Sequence, residues 1–205
     1  MIAPLMQTVF SEPDLPNGHF DGIIFTSETA VRGFARLTDD RETPAYCVGA
    51  RTADAATNAG FSAILGPGDA VGLARQIAQN TGQRLLYPRG MHVAQDMENL
   101  LVSAESETIS VVVYAQHPCA LTTEAQSLLA TGAPVLLPLF SRRSALLFAK
   151  AARAPHKALL IAALSPEIAE ATTALKPLEL RVAARADGEA LLNALADLAN
   201  RLGLG

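Results

Sequence analysis

The sequence predicts an α/β protein of two lobes, each a parallel sheet covered by helices. Three observations carry that expectation. Short apolar runs of strand length alternate with amphipathic helical stretches along the chain, and such alternation joins parallel strands through helices. The series then starts again in the second half, with matching landmarks in the same order. Finally, 205 residues, half of them hydrophobic and 18% charged, suffice for one large α/β domain or two small ones.

The elements follow in order. In "DGIIFTSETAVRGF", Asp21 to Phe34, an apolar strand stops on Thr26 and Ser27, and Ala30, Val31 and Phe34 then fall at helical spacing. "AYCVGA" leads to a helix expected from near Thr52, "SAILG" to a helix opened by Asp69, and "RLLYP" to a helix expected over 93–101. "TISVVVYAQ", Thr108 to Gln116, closes this series. The second series runs "PVLLPLF", helix, "KALLIAAL", helix, "LELRVAA", and a last helix opened by Asp187. Laid on the first, Ser27 meets Ser141 and Phe34 meets Phe148, both 114 residues apart. Thr52 meets Ser165, each expected as an N-cap, with Pro166 at the favoured first helical position. Asp69 and Asp187 are each followed four residues later by Leu. In the second series "RLLYPRG", its helix and "TISVVVYAQ" come before the hydroxyl-ending strand; in the first only "IAPLMQTVF" does. The repeat therefore leads us to expect a strand–helix unit of about 25 residues upstream, with Met1 an internal methionine.

Composition narrows the function classes. A net charge of −4 gives no nucleic-acid surface and no attraction to an anionic membrane. Cys47 and Cys119 stand far apart with no Cys-x-x-Cys, as buried free thiols of a reducing compartment would. There is no basic n-region and no apolar run of transmembrane length, so the expectation is a cytoplasmic protein.

Parallel sheets bind ligands beyond the carboxyl ends of their strands. Thr26, Ser27, Thr52, Ser141 and Ser165 stand at such junctions, where a hydroxyl either caps the helix or holds a carboxylate. Arg51, Arg89, Arg142 and Arg143 mark the same junctions, as surface cations or as partners for carboxylates. No Gly-x-Ser-x-Gly, P-loop or metal-ligand spacing occurs, and the glycines of "GPGDAVG" are wrongly spaced for a dinucleotide loop. No metal and no cofactor are expected. Tyr114 is either structural or the best-placed proton donor, since a phenol ordinarily titrates near about 10 and holds its proton at neutral pH.

These segments resemble the uroporphyrinogen-III synthase family. "DGIIFTSETAVRGF" is similar to its strand–Thr-Ser–helix segment, "VGARTADAATNAGF" to its Gly-x-x-Thr-Ala helix start, and "LLYPRG" to its strand ending in Arg-Gly. "VVVYAQ" resembles its tyrosine-bearing linker strand and "FSRRSALLF" its Ser-x-x-Ser segment. The resemblance implies two flavodoxin-like (Rossmann-like) lobes joined by a two-stranded β-linker. Residues 1–10 and 117–205 would form the first lobe, incomplete at its N-terminus, and 11–113 the second. It implies closure of hydroxymethylbilane, a linear tetrapyrrole with eight carboxylates, to uroporphyrinogen III through a spiro intermediate, without metal or cofactor. Tyr114 would assist departure of the hydroxyl, and Thr26, Ser27, Thr52, Arg89, Ser141, Ser144 and Ser165 would hold the substrate's carboxylates. The chain departs from the family in lacking the usual first strand ending in Thr-Arg-Pro, in Tyr-Ala-Gln for Tyr-x-Thr, and in Ala162 for Gly. A monomer acting on a small molecule is expected, with no nucleic acid and no membrane. The rival reading is a non-catalytic two-lobed tetrapyrrole- or polyanion-binding protein.

Overall fold

The structure is a computed structural model that describes residues 3–93, 95–152, 156–201 and 203. It divides into two compact units, Thr8–His117 and the pair of segments Met1–Gln7 and Pro118–Gly205. Parallel sheets covered by helices recur in both, as the alternating pattern predicts.

In the second unit, Thr8–His117, the order is β2 (Gly22–Phe25), α1 (Glu28–Phe34), β3 (Ala45–Cys47), α2 (Ala50–Asn58), β4 (Ala63–Leu65), α3 (Ala70–Ile77), β5 (Arg84–Gly90), α4 (Met97–Leu101) and β6 (Glu107–Pro118). β1 (Met6–Phe10) precedes them. The sheet order is β1-β6-β5-β2-β3-β4, and β6, β5, β2, β3 and β4 run parallel. That is the flavodoxin order 2-1-3-4-5 with its first two strands supplied last, so the order reverses between β2 and β5. β1 runs antiparallel to β6: Ser11 N–H donates to Val113 O at 3.0 Å, and Cys119 N–H to Leu5 O at 2.9 Å.

All four residues of β2 are buried, and their alternation explains the two cores. Ile23 and Phe25 pack with Ala30, Val31, Phe34 and Phe61 on one face; Ile24 packs with Leu73, Ile77, Leu85 and Leu101 on the other. Phe25 sits 5.4 Å from Phe61 and 5.9 Å from Phe34, ring to ring, an arrangement that adds about 1 kcal/mol per pair beyond burial.

The first unit holds α5 (Thr123–Ala130), β7 (Val135–Leu139), α6 (Arg142–Ala152), β8 (Leu159–Ala163), α7 (Pro166–Glu170), β9 (Glu179–Val182) and α8 (Gly188–Arg201). Its three parallel strands lie in the order β7-β8-β9. β8 repeats the logic of β2: Leu159, Ile161 and Ala163 face Phe148 and Ile168, while Leu160 and Ala162 face Leu191 and Leu198 of α8.

Several local expectations are corrected. The helix expected from near Thr52 begins at Ala50 with Gly49 as its N-cap, so Thr52 is its third residue and caps nothing. The helix expected over 93–101 contracts to Met97–Leu101, capped by Asp96, and residue 94 lies outside the described residues. β5 continues through Pro88 to Gly90. α5, capped by Thr122, is absent from the sequence expectation, because its apolar face is weakly marked.

Candidate active site

The reversal of strand order between β2 and β5 opens a crevice at their carboxyl ends, and Pro88 widens it. Asp21 N–H donates to Arg84 O, so even-numbered residues of β5 face β2. Pro88 therefore has no donor where β2 would need one, and the β2/β5 ladder stops at Ile23 opposite Leu86. Beyond that point the strands part, and Thr26 and Ser27 follow β2 while Tyr87 stands on β5.

Two hydroxyl pairs meet there. Thr26 Oγ1 lies 3.1 Å from the Tyr87 hydroxyl, and Ser27 Oγ lies 3.3 Å from the Tyr114 hydroxyl. Ser27 also caps α1, accepting from Ala30 N–H at 3.1 Å. Tyr114 reaches Ser27 because of a β-bulge. Arg89 stands opposite Val112 but Gly90 opposite Tyr114, so Val113 is extra on β6. The bulge breaks the alternation, and Tyr114 packs on the same core face as Val111 and Val113. Gly90 leaves the ring its space: a Cβ there would come within 2.6 Å of Tyr114 Cζ and 2.8 Å of its hydroxyl oxygen.

These groups line a cavity of about 380 Å³ together with Val48, Gly68, Asp69, Ala70, His92, Val93 and Gln95. Its described lining contains no Lys or Arg. Asp69 directs one carboxylate oxygen to Gly72 N–H at 2.8 Å, capping α3 as the sequence predicts. Tyr87 is only 1% exposed. Burial pushes its phenol above the ordinary value, opposed by the Thr26 hydrogen bond and the Arg89 guanidinium, with Tyr114 and Asp96 adding to the rise. A buried phenol with raised pKa stays protonated and acts as a hydrogen-bond donor. Sequence reasoning missed Tyr87; the available signal was a phenol one residue before a proline at a strand's carboxyl end.

Thr26, Ser27 and Tyr114 are thus brought together, and other expected residues are elsewhere. Thr52 is 5% exposed and does not line the cavity. Arg89 donates from Nη1 to Gly90 O at 3.0 Å, and Arg51 pairs with Glu28 at 2.8 Å. In the first unit Ser141 Oγ donates to Ser144 Oγ at 2.9 Å and accepts from Ser144 N–H at 3.1 Å. Ser165 occupies the N-cap of α7, but its hydroxyl donates to Glu167 at 2.6 Å instead of capping a backbone amide. A larger cavity of about 570 Å³ in that unit, among Cys119, Gln126, Lys150 and His156, contains none of the expected residues. Among the described residues no group of three or more His, Cys, Asp or Glu side chains is placed to hold a metal ion.

The comparisons with known proteins bear on both units. The chain is similar to the uroporphyrinogen-III synthetase of Helicobacter pylori, with 18% identity and a TM-score of 0.74 over 95% of this chain and 91% of that one. It is similar to a mutant uroporphyrinogen III synthase of Thermus thermophilus, with 16% identity and a TM-score of 0.53 over 98% and 88% of the two chains. At these identities the likeness establishes the two-lobed fold. No curated protein sequence matches the chain. A family model described as uroporphyrinogen-III synthase HemD matches residues 1–193, nearly the full length, and the chain therefore belongs to the uroporphyrinogen-III synthase family.

Proposed function

We propose that the cavity of the second unit is where hydroxymethylbilane loses its terminal hydroxyl, with Tyr114 as the proton donor. The family's reaction is this chain's activity: closure of that linear tetrapyrrole to uroporphyrinogen III, a lyase step of haem biosynthesis. One observation carries the residue assignment. Ser27 Oγ accepts from Ala30 N–H, which occupies one of its two lone pairs, and lies 3.3 Å from the Tyr114 hydroxyl, to whose oxygen it can donate its own proton. The Tyr114 O–H then points away from Ser27 and can donate to the leaving hydroxyl, within a hydrogen-bond chain whose members polarise one another.

The chemistry balances with one donor. The phenol proton leaves with the hydroxyl as water, and the substituted carbon of the last ring attacks the methylene cation to form the spiro intermediate. Bond breakage and reclosure invert that ring, and its α-carbon proton leaves at the end, which restores aromaticity and returns to the Tyr114 phenolate the proton it gave up. The net change is loss of one water, so the reaction needs no electron carrier. Most of the rate control is orientation of the ring and restriction of water. On this reading Thr26 binds a carboxylate in the second unit while Ser27 orients Tyr114, and Ser141 and Ser144 form a separate carboxylate-binding pair in the first. Thr52, buried away from the cavity, and Arg89 and Ser165, bonded within the chain as described, are assigned no contact. The same reading makes the protein a monomeric, cofactor-independent enzyme of the cytoplasm, and among the described residues no helix is long and apolar enough to cross a membrane.

Freshly made hydroxymethylbilane tests this. The wild-type chain is expected to raise the ratio of isomer III to isomer I above the spontaneous blank, which favours isomer I. Tyr114→Phe is expected to lower the rate of isomer III formation about 10²-fold or more while the fold is retained. An undiminished rate in Tyr114→Phe would remove Tyr114 from the mechanism.

A further inference from the structure

We propose that Tyr87 is a positioning residue: its phenol donates to Thr26 Oγ1 and leaves the Thr26 hydroxyl proton free to donate to a carboxylate in the cavity. The inference rests on reading this cavity as the substrate site. The two oxygens lie 3.1 Å apart, and either could donate, so the surroundings decide the direction. Tyr87 is 1% exposed, and a buried phenol that accepted from Thr26 would hold its own proton without that acceptor. Both residues border the cavity, but Thr26 is half-buried where Tyr87 is 1% exposed, so the Thr26 hydroxyl is the one with room to turn its proton to the open side.

The consequence is an opposed pair of relays. Along Ala30–Ser27–Tyr114 the tyrosine is the last donor; along Tyr87–Thr26 the threonine is. Because the described lining carries no Lys or Arg, such hydroxyl donors have to carry much of the carboxylate recognition. A hydroxyl fixed as a donor does so without the reorientation that a free rotor requires.

The test compares wild type, Tyr87→Phe, Thr26→Val, the double variant, and Thr26→Ser with and without Tyr87→Phe. Turnover of hydroxymethylbilane and the affinity for uroporphyrin III, the oxidised octacarboxylate product, are measured on each. Tyr87→Phe and Thr26→Val are each expected to raise KM and the uroporphyrin Kd about three- to ten-fold, with kcat within about twofold. The double variant is expected to be no worse than Thr26→Val, and Thr26→Ser to retain both wild-type binding and its sensitivity to Tyr87→Phe. A Tyr87 that only supports the fold would shift the thermal midpoint and leave KM and Kd alone. Unchanged KM and Kd in Tyr87→Phe, or effects that multiply in the double variant, would overturn the proposal. Uroporphyrin binding with this pattern but no isomer III would leave the relay standing and refute the synthase reading of the cavity. Neither turnover nor binding in the wild type would refute both.

Discussion

Gly90 decides whether Tyr114 can meet Ser27. Any Cβ at this position overlaps the Tyr114 ring and hydroxyl, and the ring, being the mobile partner, has to turn away. Gly90→Ala is therefore expected to imitate Tyr114→Phe: isomer III formation falls by about the same factor, and adding Tyr114→Phe to it changes little further. A fully active Gly90→Ala would mean that Tyr114 tolerates displacement and that its contact with Ser27 is not the working geometry. The overlap is steric and local, so the expected change is in rate, with little change in stability. Arg41 is a contrasting residue, structural throughout. Its guanidinium donates to Ala35 O, Thr38 O, Asp40 O and Ala59 O and lies 4.5 Å over the Phe61 ring, tying down the C-terminal ends of α1 and α2.

Two prolines govern the sheets at the level of elements. Pro88 interrupts only the β2 side of β5, so β5 keeps its ladder with β6 while the crevice opens on the other side. Pro138 does the corresponding thing at an edge. Val135 N–H donates to Ala158 O, and Leu139 O accepts from Leu164 N–H, so odd-numbered residues of β7 face β8. The Pro138 nitrogen thus faces outward, where the missing N–H blunts an edge that would otherwise present a second donor beside Leu136. Pro138→Val is expected to promote self-association, seen as a concentration-dependent rise in mass by light scattering. A profile identical to wild type would show that other features keep β7 edges apart. At the opposite edge two of the four side chains of β9 are charged: Glu179 pairs with Arg181 and Arg201, and Arg181 with Asp197, a second form of edge protection.

For the whole molecule, the consequence is a stability that depends on pH and resides in one unit. Burial pushes the Cys47 thiol from its ordinary 9.0 up to about 11, and burial likewise raises the Tyr87 phenol. Both groups belong to the second unit. The unfolded chain releases each proton first, so above the ordinary values the native state binds more protons than the unfolded state. Stability is therefore complete below about pH 9 and falls as pH rises towards 11, by roughly 2–3 kcal/mol for Cys47. Urea unfolding followed by circular dichroism between pH 8 and 11 should show this decline, and Cys47→Ala should flatten its lower part. A midpoint independent of pH over that range would contradict the burial argument. The protein has no Trp, and its three tyrosines, Tyr46, Tyr87 and Tyr114, all lie in Thr8–His117, so tyrosine emission below pH 9 follows that unit alone.

The chain's own pattern determined the class of fold, the alternation, the doubling and many helix starts, because these depend on spacing along a few residues. Asp69 and Asp187 cap α3 and α8 three residues ahead, and Ser27 and Ser141 accept from amides at the same separation. Sequence spacing misplaces Thr52 because Gly49 opens α2 through its backbone and leaves no side-chain signature. The site was legible only in part. Thr26, Ser27 and Tyr114 carry hydroxyls at strand ends, which a sequence displays. That Ser27 meets Tyr114 and Thr26 meets Tyr87 depends on strand order, on register and on one bulge between residues 61 to 87 positions apart. Those are decided by which strands pair when the whole sheet packs, and only the tertiary structure contains that information.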